Sequence, residues 1–250
     1  MKYSIFHTSH CGSTLLATLL KDSLDTYCEP HWTAYQDCRY FMMAKNHTLV
    51  KYPSYSSMAC RILPGKKIFI YRRLKDHLQK ITSSKKLIEK NIDEYFPFCK
   101  NKRNLFPDLT FDNDLKKIAF VWIHRYLDAY YSQDVLKINA NDLFLNPKKT
   151  VNKVTNFFGV ERVKNFDHLN FYVKKDFNSK NEKLSDIKPK EKIPFKLESG
   201  YINSDNFQDI EYWIEAEILN KIRSNQIFPL LRDKDKKPIY YFLPGVTIKS

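Results

Sequence analysis

Apolar residues in the first half of the chain fall into short runs, and the segments between them repeat with helical spacing. Lys2–His7 reads as a strand, followed by a polar loop. Leu15, Leu16, Leu19, Leu20 and Leu24 recur at intervals of three and four, predicting a helix from Ser13 to about Leu24. Thr26–Cys28 is a short second strand, stopped by Glu29-Pro30, and Thr48–Tyr52 a third, ending at Pro53. Ser54–Leu63 is a short helix candidate closed by Pro64-Gly65. Lys67–Tyr71 has the continuous apolar character of a buried strand, and a helix starts near Leu74 and runs into the eighties.

The stretch Lys85–Asn113 is polar and interrupted by Pro97 and Pro107, so it reads as an insertion able to cover a site. Asp114–Ser132 is a helix with Phe120, Trp122 and Leu127 on its core side, and Val135–Ile138 a strand. Asn146-Pro147 opens a helix that runs to Phe158 and stops at Gly159. Beyond Arg162 the pattern weakens into a Lys-rich stretch, a helix over Asp205–Ser224 and an irregular tail. Strands alternating with helices predict an α/β fold: a three-layer sandwich with a central parallel sheet, in one domain spanning 1–250. Residues 1–160 form its core, 85–113 and 163–204 its covering segments, and 205–250 a C-terminal helix and tail.

Ser4–Leu16 is the most informative stretch. An apolar strand that feeds a helix N-terminus through a tight polar loop collects backbone N–H groups at one point, which suits phosphate or sulfate. A nucleotide-hydrolysing P-loop needs G-x-x-x-x-G-K-[ST]. Here Gly12 stands before Ser13 where that Lys belongs, and the first Gly is missing. The loop therefore suits an anion but not ATP hydrolysis.

Composition sharpens the picture. The 250 residues carry a net charge of +14, fitting an anionic cofactor, an acidic acceptor or nucleic acid; the competing reading is that the excess of Lys over Arg, with abundant Asn, reflects only the base composition of the source genome. Five cysteines (Cys11, Cys28, Cys38, Cys60 and Cys99) are odd in number and scattered, which favours a reducing compartment over a disulfide framework. No secretory leader and no membrane-spanning apolar run are visible, so a cytoplasmic protein is expected. His7, His10, Cys11, Cys28, His31 and Cys38 form no pair at zinc-ligand spacing, and no metal is expected.

Three segments in order resemble the PAPS-dependent sulfotransferase family, its bacterial and glycan-type branch above all. The first is Ser9-His10-Cys11-Gly12-Ser13-Thr14-Leu15-Leu16, similar to the family's 5′-phosphosulfate loop. The second is Lys67–Asp76, similar to the strand and Arg-containing turn that hold the 3′-phosphate. The third comprises Val135–Leu143, Asn146-Pro147 and Phe157-Phe158-Gly159, with Trp122 in the preceding helix. The departures are His10 and Cys11 where the loop usually has Lys or Arg and Ser, Lys80 where a Ser is usual, and Ala140-Asn141 in place of Tyr-Glu.

The resemblance implies a P-loop-NTPase-like fold. It also implies the cofactor 3′-phosphoadenosine-5′-phosphosulfate (PAPS), released as adenosine 3′,5′-bisphosphate, with no metal required. It assigns cofactor contacts to Ser9, His10, Cys11, Gly12, Ser13, Thr14, Leu15, Arg72 and Lys80, with Arg73 as a helper. Glu29 becomes the general base, with His31 its rival, and Lys51 and His10 the catalytic cations. For Ser13 and Thr14, simple helix N-capping is the competing reading. For Glu29 it is a solvated turn residue, and for Lys51 a side chain turned to water.

The expected acceptor is a small molecule, glycan or peptide bearing a hydroxyl or amine, with Lys in the covering segments pointing to an acidic one; no nucleic-acid partner is expected. The alternatives are a P-loop kinase acting on a small acceptor, and a non-catalytic basic scaffold or nucleic-acid binder.

Overall fold

In the computed structural model the described residues are 3–21, 23–28, 47–52, 60, 63–103, 106, 108–130, 132–166 and 204–220. They group into two compact units. One comprises Met1–Tyr71 with Ser132–Lys196, the other Arg72–Tyr131 with Leu197–Ser250.

The first unit is built on a five-stranded, all-parallel sheet. Its strands are β1 (Tyr3–His7), β2 (Thr26–Cys28), β3 (Leu49–Lys51), β4 (Lys66–Tyr71) and β5 (Val135–Asn139), in the order β2-β3-β1-β4-β5. The α/β class expected from the alternating pattern is what the chain adopts. Tyr3 of β1 pairs with Leu49 on one side and Lys66 on the other. Consecutive residues of a strand face opposite sides. Ile5 and Phe6 are both fully buried, as are Ile68, Phe69 and Ile70, so both faces of the sheet are covered at its centre. This explains why the central strands read as continuous apolar runs.

Helices α1 (Ser13–Leu20), α6 (Ala140–Leu145) and α7 (Pro147–Phe158) contribute to one apolar cluster with the strands. Ile5, Leu49, Ile68, Ile70 and Ile138 meet Leu16, Leu19 and Leu20 of α1, Leu143 of α6, and Val151, Val154 and Phe158 of α7. Helix α1 is a turn shorter than predicted. It stops at Leu20, whose carbonyl accepts from both Ser23 and Leu24, so Leu24 reaches the core from a turn. Helix α7 has the predicted bounds. Gly159 closes it at φ 75°, its N–H donating to Thr155 and Asn156, while Val160 N–H donates to Thr155. This is a left-handed cap that glycine adopts without steric penalty. Helix α6 was not foreseen. Asn139 starts it, its side-chain oxygen accepting from the N–H of Asn141.

The second unit is helical, with α2 (Leu74–Thr82), α3 (Lys85–Glu89), α4 (Phe96–Arg103), α5 (Asp114–Tyr130) and α8 (Ser204–Trp213). The polar insertion expected over 85–113 is therefore mostly helix. A π-helical turn, Lys90–Tyr95, joins α3 to α4 just ahead of Pro97, whose ring lacks an N–H and crowds the carbonyl four residues back. Phe96, Phe111 and Phe106 meet Phe120 of α5 edge to face, and Phe111 meets Trp213. Phe120, Trp122 and Leu127 are buried, as predicted for core positions. A second π turn, Ile214–Leu219, follows α8. The helix candidate 54–63, most of the 163–204 segment and the tail beyond 220 lie outside the described residues.

Candidate active site

In an open parallel sheet, ligands bind beyond the carboxyl ends of the strands, where neighbouring strands send their connections in opposite directions. From β1 the chain leaves toward β2, and from β4 toward β5, so the β1/β4 edge is that place. The loop Thr8–Gly12 lies there, between β1 and α1.

The loop is anchored at both ends to β4. The N–H of Thr8 donates to the carbonyl of Ile70 at 2.9 Å, and the Cys11 thiol donates to the same carbonyl at 3.3 Å. Cys11 is fully buried in the core, so its thiol faces inward, and toward a ligand it can offer only backbone. His10 and Gly12, on either side of Cys11, both have left-handed backbone, at φ 56° and 83°. His10 is a non-glycine residue held in a region most side chains avoid, and it is the one exposed residue between Thr8 and Gly12. Left-handed residues alternating with others turn successive N–H groups toward one concave side.

Gly12 is also the N-cap of α1, with no side chain to cap the helix. A Cβ there would stand 2.8 Å from Phe144 Cζ and 3.3 Å from Leu143 Cδ2. Helix α6 thus presses against the loop, and a side chain at this position would have to displace the Phe144 ring as well as strain the backbone. Ser13 and Thr14 follow as the first two helical residues, so neither is the N-cap. Ser13 is buried and Thr14 half-buried. The arrangement can hold a tetrahedral oxyanion with backbone N–H groups, two hydroxyls and the positive end of α1.

Lys51 ends β3 and is 2 % exposed, so it is not turned to water. Its register partners are Ile5 on β1 and Cys28 on β2. Beside it Tyr52 stacks on Phe6, ring centroids 4.9 Å apart, and burial pushes the Tyr52 phenol up to about 12. Glu29 and His31, the predicted base and its rival, lie outside the described residues.

In the second unit Arg72 is the first residue after β4 and is half-buried. Its carbonyl accepts a 2.9 Å hydrogen bond from Trp122 Nε1 on α5, which fixes the backbone where the Arg72 side chain departs. Arg73 turns to its own helix, Nε donating to Asp76 at 2.9 Å. Lys80 is half-buried near the end of α2. Thr82 donates to the Leu78 carbonyl and Ser83 to that of Lys80, so both hydroxyls serve the helix end. Among the described residues, no three His, Cys, Asp or Glu side chains come together as a metal site. No helix among them is long and apolar enough to cross a membrane.

The sequence reading missed three supporting contacts: the inward Cys11 thiol, Phe144 against Gly12, and Trp122 on Arg72. The sequence places Trp122 among the core positions and beside the third resembling segment, but gives it no hydrogen-bond partner. Its position, two turns into an apolar helix, carries no local sign of a partner fifty residues earlier.

No family profile and no curated protein matches the chain. Among solved structures, it is similar to the sulfotransferase domain from the curacin biosynthetic pathway, with 14 % identity over 86 % of this chain and 97 % of that one, at a TM-score of 0.47. It is also similar to mouse sulfotransferase SULT7A1 complexed with PAP, with 12 % identity over 90 % of this chain and 87 % of that one, at a TM-score of 0.46.

Proposed function

We propose that the protein is a sulfotransferase that moves a sulfuryl group from PAPS to a hydroxyl or amine acceptor. The observation that carries the reading is the β1–α1 loop. Its two left-handed residues flank a thiol anchored to β4, at the sheet edge where α/β proteins take ligands. The ordered motifs named in the sequence supply the cofactor. With Gly12 at the position a P-loop kinase gives to Lys, ATP is the weaker candidate.

In this reading the loop N–H groups with Ser13 and Thr14 take the 5′-phosphosulfate, and Arg72 the 3′-phosphate, its fork suited to bidentate contact. Lys80 and Arg73 add positive charge. The acceptor oxygen attacks sulfur in line. The S–O bond to the 5′-phosphate breaks, the sulfuryl group passes to the acceptor, and adenosine 3′,5′-bisphosphate leaves. Glu29 takes the acceptor proton. His10 and Lys51 offset the negative charge that grows on the bridging oxygen.

The test is calorimetric titration with adenosine 3′,5′-bisphosphate, repeated with ADP and with Arg72→Ala. Binding that requires both the 3′-phosphate and Arg72 supports the reading and justifies an acceptor screen with labelled PAPS. A folded wild-type protein that binds neither PAPS nor the bisphosphate overturns it.

A further inference from the structure

Two large apolar side chains among the described residues stand mostly in water, Leu145 at 66 % exposure and Tyr212 at 75 %. Leu145 ends α6. Leu143 before it is buried and Phe144 packs against the core, so Leu145 stays out while its apolar neighbours go in. From this point the surface turns strongly basic. Residues 143–166 carry Lys148, Lys149, Lys153, Arg162 and Lys164 against one acid, Glu161, and all five cations are exposed. Asp142, one turn ahead of Leu145, and Asp167, just past the run, are the acids that flank it in the sequence.

Helix α7 buries Val151, Val154 and Phe158. Lys149 and Lys153, one turn apart, therefore lie on its opposite side. Half-buried rings lie under the ammonium groups at both ends, Phe166 at 5.7 Å from Lys148 Nζ and Phe157 at 5.6 Å from the exposed Lys66 Nζ.

We propose that this surface docks on an anionic lipid bilayer, with Leu145 entering the boundary between headgroups and acyl chains and the α7 lysines lying over lipid phosphates. A basic helix face attracts any polyanion, and the exposed leucine decides between them. It gains nothing beside a hydrated strand of phosphates or sugars, but it leaves water at an acyl boundary. The cations are mostly Lys, point charges that suit a fluid array of phosphates, whereas Arg forks suit fixed bidentate partners. This docking is independent of sulfuryl transfer. Phe144 touches Gly12, so Leu145 lies on the same sheet edge as the loop.

The experiment is co-sedimentation of the full chain with vesicles of phosphatidylcholine alone, or with roughly one-third phosphatidylglycerol, at about 0.1 M salt. Binding is expected only to the anionic vesicles and weakens with added salt. Lys149→Gln with Lys153→Gln should weaken it about 25-fold, at about fivefold per charge, and should also reduce retention on heparin. Leu145→Ser should weaken vesicle binding about tenfold and leave heparin retention unchanged. Unfolding temperature and adenosine 3′,5′-bisphosphate binding, measured on each variant, separate loss of docking from loss of fold or of the anion loop. Absence of vesicle binding overturns the proposal. So does vesicle binding that ignores Leu145 and tracks heparin retention, which would mark a surface for soluble polyanions.

Discussion

Phe144 closes the space that a side chain at Gly12 would need: a Cβ on Gly12 would sit 2.8 Å from the ring edge. Two penalties meet at that residue, the ring contact and a φ of +83°. Gly12→Ala should therefore cost more than the about 1–2 kcal/mol of a left-handed alanine alone. Urea unfolding checks this. Phe144→Leu in the same background should recover the contact part and leave the backbone part. Additive losses in the double variant would mean that the ring yields freely.

Gly159 provides the contrast. It is left-handed at φ +75°, and a Cβ there meets nothing within 4 Å. Gly159→Ala should cost about 1 kcal/mol from backbone strain alone, and Gly159→Asn less, because asparagine tolerates this conformation better. Denaturant midpoints of the two variants give the comparison.

Trp122→Phe keeps a ring in the core but removes the donor to the Arg72 carbonyl. Left without that donor, a part-buried carbonyl costs about 1–3 kcal/mol. If Arg72 holds the 3′-phosphate, the affinity ratio of adenosine 3′,5′-bisphosphate to ADP should fall as well. Stability lost with that ratio unchanged would show that Trp122 supports packing only. Arg73→Ala should move stability by less than about 1 kcal/mol, since its Asp76 pair has an arginine 52 % exposed.

Alkaline stability depends on Tyr52. Burial raises its phenol from 10.0 to about 12, so between those values the unfolded chain gives up this proton and the folded chain keeps it. The folded state then binds more protons, and its stability falls as pH rises through that window. Burial and the neighbouring Cys28 raise Tyr27 as well, which adds to the fall. Tyr52→Phe should flatten the loss of melting temperature above pH 10 while leaving the neutral-pH slope unchanged.

The strands and long helices could be read directly because their signals are local. Leu-rich α1, the continuous apolar β4 and Gly159 at the end of α7 each carry their cause within a few residues. The 85–103 helices were hidden because a π turn breaks the 3.6-residue repeat, and because Pro97 looks like a breaker when only the chain is read. At the candidate site, Gly12 and the tight loop between β1 and α1 were legible. What enforces them was not: Phe144, Ile70 and Trp122 meet their partners across fifty or more residues of chain. Lys51 shows the same limit, since the chain alone left its direction open and only its place between β1 and β2 settled its burial.

The strand order also bears on how the chain is made. β1 leaves the ribosome before the other four strands yet ends in the middle of the sheet, with Tyr3 awaiting Leu49 on one flank and Lys66 on the other. At about 5–20 residues per second, its apolar residues Ile5 and Phe6 stay unpaired for several seconds of synthesis. No native sheet can close before β4 is complete at Tyr71 and clear of the exit tunnel. Nascent chains stalled short of that length should be sticky and dependent on chaperones.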